Sequence, residues 1–248
     1  MNWLRTTRAE LRKLTTTKMP LVFLVVLAVI GIATAIAVAF GTDMDGSKTF
    51  ISTAADQQSL MAFAANALVI AGLFGAIAAA REYGHGTVVL TFLTTPHRSK
   101  AVLAQFAAVF VGGSVLGLLG AGVSAGSVAA GLTATDYGFM VSAADLAQVL
   151  AASTIAGGAG AVLGAGIGAF IRNTGGAVTG TILLLLILPP LAVQMAGATA
   201  PWIPNTLANV VSGVDHATGI GAALGAIMMW ALVPAAIGLG AVTRRDVV

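Results

Sequence analysis

The chain is 248 residues long, 58% hydrophobic and only 8% charged, with a formal net charge of +3 and no cysteine. A soluble domain carries about 25% charged residues, so composition alone places the chain in a membrane. The missing cysteines exclude disulfides, thiolate metal sites and cysteine nucleophiles, and with no basic soluble domain there is no nucleic-acid partner.

Residues 1–19 are predicted to form a basic amphipathic helix at the cytosolic membrane surface. Trp3, Leu4, Leu11 and Leu14 fall on one face, and Arg5, Arg8, Arg12 and Lys13 on the others. It serves either as an interfacial anchor or as a contact for a partner subunit. The apolar run from Leu21 to Phe40 exceeds the ~7–15 residues of a cleavable signal core and is read as a retained anchor. Pro20 suits the first turn of that helix, where no backbone donor is lost.

Residues 20–248 are read as a single all-α, polytopic domain of six transmembrane helices. The spans lie near 20–40, 59–80, 101–124, 146–170, 176–197 and 219–242, each close to the ~20 residues that cross the hydrocarbon. None holds Asp, Glu, Lys or Arg in its interior, where each would cost roughly 2.5–3.5 kcal/mol. The connections set the orientation. With both termini cytosolic, eleven of the 12 basic residues lie inside and only Lys48 outside, while six of the nine acids lie outside. An even number of spans therefore satisfies the positive-inside rule and implies a multi-pass protein of the plasma membrane in contact with its lipids.

The spans differ in texture. Glycines four apart (Gly113/Gly117, Gly122/Gly126, Gly160/Gly164/Gly168, Gly221/Gly225) are expected to be faces where helices approach closely. In the fifth span, Pro189-Pro190 should kink or break the helix near its outer third. The extracytoplasmic segment 198–218 places Leu207, Val210, Val211 and Val214 at helical spacing behind Trp202. That pattern fits an interfacial helix, or else a re-entrant segment or lid.

Several chemistries are missing. No lysine follows a glycine, so the Gly-Lys-Ser/Thr of an ATP-binding loop is absent. His85, His97 and His216 all fall in connections, which leaves no converging metal ligands. With no nucleophile and base inside the bundle, the chain is read as a non-enzyme. The few polar residues within spans are Asn66, Gln105, Gln148, Thr179, Thr181 and Gln194. They either bond between helices or line a sparse translocation path, for which Asn66, Thr181 and Gln194 are the candidates.

The stretch between the second and third spans, residues 81–100, is longer than a bare connection requires. Gly84 and Gly86 permit a sharp turn, Thr87 can cap a short helix, and Val88, Val89, Phe92 and Leu93 give that helix an apolar patch. Pro96 closes it, and Arg98 and Lys100 mark the membrane edge. Either the patch lies in the lipid headgroups or another protein grips it.

Glu82, Gly86-Thr87, the apolar run, Thr95-Pro96 and Arg98 resemble the cytosolic loop of type-2 ABC exporter permeases. Glu10-Leu11-Arg12-Lys13-Leu14 resembles the opening helix of that family. One residue separates Pro96 from Arg98 where the family often has two, and Gln105 stands where it often has lysine. The resemblance implies a coupling helix at 81–100 that docks on a separate ABC ATP-binding subunit, which holds ATP and magnesium. It also implies a second permease copy or similar chain, and export of a hydrophobic or amphipathic substrate. Glu82 is expected to fix the loop through a salt bridge, and Arg98 to pair with acidic groups or lipid phosphate. An ion-coupled secondary carrier and a non-transporting scaffold or immunity subunit are the alternative readings.

Overall fold

The computed structural model describes residues 3–84 and 97–244. All regular secondary structure among them is helical, and six segments are long and apolar enough to cross a membrane: Met19–Phe40, Ala54–Gly84, Arg98–Leu132, Ala143–Ile171, Thr174–Met195 and Ile220–Arg244. The six expected spans are present, with shifted ends, and the chain is a multi-pass helical membrane protein.

Helix α1 covers Trp3–Thr16, and α2, Met19–Phe40, begins with Pro20 in its first turn. The second span is two helices, α3 (Ala54–Ala65) and α4 (Ala67–Gly84). It starts earlier than the hydropathy indicates because Thr53 and Asp56 form a reciprocal capping box that fixes the N-terminus of α3. The break falls at Asn66, whose φ of 31° is left-handed, a conformation Asn adopts more readily than other non-glycine residues. Helix α5 (Arg98–Leu132) and α6 (Ala143–Ile171) follow.

The fifth span comprises α7 (Thr174–Ile182), a π turn over Leu183–Ile187 and α8 (Leu188–Met195). Pro189-Pro190 therefore does not end the helix. The two prolines cannot donate to the carbonyls one turn back, and the preceding turn widens so that the Leu188 N–H reaches Leu183 O. A 3-10 stretch, Gly197–Trp202, leads to α9 (Pro204–Val211), and α10 (Ile220–Arg244) completes the bundle.

Helix α6 is the axis of the bundle and packs along α4, α5 and α10, while α2 lies on the periphery against α5. Small residues make this possible. A Cβ on Gly164 would overlap the Gly72 carbonyl, one on Gly160 the Leu68 carbonyl and one on Gly75 the Ala161 carbonyl, so α4 and α6 run backbone to backbone. Gly117 of α5 meets the Ser153 carbonyl of α6 in the same way. The expectation for the remaining glycines is corrected: Gly122, Gly126, Gly221 and Gly225 have nothing within 4 Å of where a Cβ would stand. Four-residue spacing recurs on α5 and α10, but those faces point away from the bundle.

The end of the bundle opposite the 81–100 connection is closed by polar ties. Gln57 is fully buried; its Nε2 donates to Ile51 O and Gly138 O, and its Oε1 accepts from Met140 N. Gln58 donates to Ser212 O, Gln148 to Val211 O and Ser124 to Met61 O. Helix α9 is held by two of these bonds and buries Leu207, Val210 and Val211 against Ala152, Ala223 and Ile227. Its apolar face thus packs on protein, and Val214 lies past its end. Trp202 is half exposed, and its carbonyl accepts from Trp230 Nε1 at 3.0 Å. Lys48 donates to Ala39 O at 2.6 Å, placing its cation at the negative end of α2.

Candidate functional site

Two groups of side chains stand out, one at each end of α4. This helix has 18 residues and spans roughly 27 Å at ~1.5 Å per residue.

At its C-terminal end, Glu82 is drawn to α1. Lys13 Nζ donates to Glu82 Oε1 at 3.0 Å and to Glu10 Oε1 at 2.7 Å, so one ammonium serves two carboxylates. Glu10 is 5% exposed, and burial first, then the Glu82 charge, hold its carboxyl above the usual range against the pull of Lys13. Burial works against the Lys13 charge, but its bond to Glu10 and the Glu82 charge prevail and raise its pKa. The next residue, Tyr83, receives the Arg172 guanidinium over its ring at 5.3 Å. Arg172 closes α6 in a left-handed conformation, φ 60°, and donates to Ala241 O at 3.3 Å. The N-terminal helix and the ends of α4, α6 and α10 therefore meet on one side.

Arg98 and Lys100 occupy the first turn of α5, which has no acidic residue. Cations there oppose the helix dipole by about 0.3–1 kcal/mol each, so helix stability does not account for their position. Gly86, Thr87, Val88, Val89, Phe92, Leu93 and Pro96 lie outside the described residues.

At the other end of α4, Asn66 lines a cavity of about 190 Å³ together with Ser153, Asn205, Asn209, Phe63 and Leu186. The other two expected path residues do not join it. Thr181 is buried and donates to Ala177 O at 2.8 Å, one turn back in its own helix. Gln194 is exposed near the end of α8. A larger cleft of about 570 Å³ opens between the π turn of the fifth span and α10 over α6, and its walls are apolar, with Phe170, Leu184, Trp230 and Ile237 among them.

Sequence reasoning gave no site role to Glu10, Arg172, Asn205 or Asn209. The Glu10/Lys13 pair is visible as oppositely charged residues three apart on a helix. Its link to Glu82 spans 69 residues and has no local signature. No protein-family model matches the chain, and no curated protein is similar to it.

Proposed function

We propose that this chain is the membrane permease subunit of an ATP-driven ABC exporter. It would lie in the plasma membrane with both termini cytosolic and work with a second copy or a similar chain. Two ABC ATP-binding subunits would carry the ATP and magnesium. ATP-driven closure of those subunits would push on residues 81–100, and α4 and α5 would carry the movement into the bundle.

The observation that carries this reading is the Lys13–Glu82 bridge. It braces the residue that opens the 81–100 segment against the N-terminal helix, on the side where the basic residues gather. A segment that passes on force needs a fixed root, and two carboxylates around one ammonium supply one. The close α4–α6 packing supports the same reading, because a rigid pair of helices transmits a push that loosely packed ones would absorb.

The test is co-purification of an ATP-binding subunit from the native membrane. Phe92→Asp should abolish that association and leave membrane insertion intact, since it places a charge in the apolar patch of the segment. An ATP-binding subunit retained in full by the variant would defeat the assignment.

A further inference from the structure

The cavity beside Asn66 has an unusual inventory. Among the described residues, the side chains of Asn66, Asn205, Asn209 and Ser153 have no hydrogen-bond partner, and all four residues line it. Nearby amides are used differently: Gln57, Gln58 and Gln148 spend theirs on backbone carbonyls that hold the fold together. None of the described residues that line the cavity is ionisable, so they offer no formal charge to pair with an ion. Its walls include Phe63 and Leu186, residues that are 72% and 47% exposed and offer an apolar way out.

Asn205 is exposed and Asn66 and Asn209 are half-buried, so their carboxamides stay open to an occupant of the cavity. An occupant that displaces water from these amides without replacing its hydrogen bonds loses binding free energy. Whatever fills the cavity must therefore donate and accept hydrogen bonds. Each carboxamide offers both functions, which suits a neutral group with hydroxyls or an amide and gives no advantage to a phosphate or an ammonium. The volume of about 190 Å³ suits a head group of that kind, with any alkyl tail leaving past Phe63 and Leu186.

We propose that this cavity binds the head group of a neutral amphiphile bearing hydroxyl or amide functions. This deepens the exporter reading by naming its cargo class, and it rests on that reading only in treating the occupant as cargo. Asn205 and Asn209 stand on the same face of α9, four residues apart, and Asn66 faces the cavity from the α3–α4 break. The occupant would thus be held between the cap of the bundle and the top of α4.

The full chain in neutral lipid nanodiscs, without any ATP-binding subunit, is exposed to monododecanoyl glycerol carrying a diazirine in its tail. Matched dodecyl trimethylammonium and dodecyl phosphate probes carry the same diazirine. After photolysis, the neutral probe should label peptides covering residues 62–68 and 204–212, and unlabelled monododecanoyl glycerol should displace it. The double variant Asn205→Ala/Asn209→Ala, which removes no hydrogen bond within the protein, should weaken labelling about tenfold. Asn66→Gly, which tolerates the left-handed backbone, should weaken it severalfold. Equal labelling by the three probes would overturn the proposal, as would labelling that excess competitor does not displace. Absence of cavity labelling would mean that the site holds water only and would also overturn it. Loss of the exporter reading shows instead as an ATP-binding subunit that associates regardless of Phe92→Asp, with photolabelling unchanged.

Discussion

Lys13 Nζ lies 3.0 Å from Glu82 Oε1 and joins the N-terminal helix to the last turn of the second span. The same ammonium also neutralises buried Glu10, so replacing it leaves two carboxylates facing each other with one of them out of water. Removing one member of a partly buried ion pair costs more than the pair contributes, because a charge is left behind without compensation. Lys13→Met should therefore lower the thermal midpoint in detergent more than Glu82→Gln does. Restoring the charge with Lys13→Arg should recover most of the loss. Differential scanning fluorimetry of the three variants checks the order.

The pH dependence of this cluster has a definite sign. The folded Glu10 carboxyl is raised above its ordinary 4.5, so the folded chain holds that proton more tightly than the unfolded one. Its contribution to stability is therefore largest at acid pH and declines as pH rises from 4.5 through the folded value. Glu10→Gln should flatten this part of the stability profile. Lys13 is raised above 10.5, so its contribution is complete below that value and is lost as pH climbs through the folded one. Lys13→Met should abolish this alkaline loss. Thermal midpoints measured from pH 4 to pH 11.5 separate the two limbs.

The glycines show what the sequence reveals and what it does not. The spans were legible because ~20 apolar residues in a row have few other uses. The glycine spacing pointed correctly to Gly160, Gly164 and Gly168 and equally to Gly122 and Gly126, because periodicity reports which residues share a face and not what the face meets. Only the fold places α6 in the centre. The cost of substitution should divide accordingly. Gly164→Ala forces a Cβ into the Gly72 carbonyl, and overpacking of that kind costs about 1–3 kcal/mol or more. Gly126→Ala meets open space and should be neutral or slightly stabilising, since alanine is the better helix former. Equal midpoint shifts for the two would contradict the packing.

Other features escaped the sequence for a different reason. Pro189-Pro190 announced a disturbance, but the π turn that absorbs it depends on carbonyls one turn back. The break at Asn66 depends on one backbone conformation, and the role of Asn205 and Asn209 on the docking of α9. Gln57 is a similar case: an unremarkable residue near the start of α3 that ties the 3-10 turn at Ile51 to the connection at Gly138 and Met140. Gln57→Leu should leave those backbone groups unsatisfied at about 1–3 kcal/mol each. The variant should unfold well below the unmodified protein and expose the 138–140 segment to protease, and a midpoint within experimental error of the parent would refute that role.

The sidedness on which the exporter reading depends is open to direct chemistry, because the chain has no cysteine of its own. Asp136 and His216 are exposed in connections at the end of the bundle away from Glu82. Phe92 belongs to the connection that Glu82 opens. Among the described residues every Lys and Arg except Lys48 lies on the Glu82 side, and the positive-inside rule predicts that this side faces the cytosol. A membrane-impermeant maleimide applied to intact cells should label Asp136→Cys and His216→Cys at once. Phe92→Cys should react only after the membrane is permeabilised. Immediate labelling of Phe92→Cys would reverse the topology and put the 81–100 segment beyond the reach of any cytosolic ATPase.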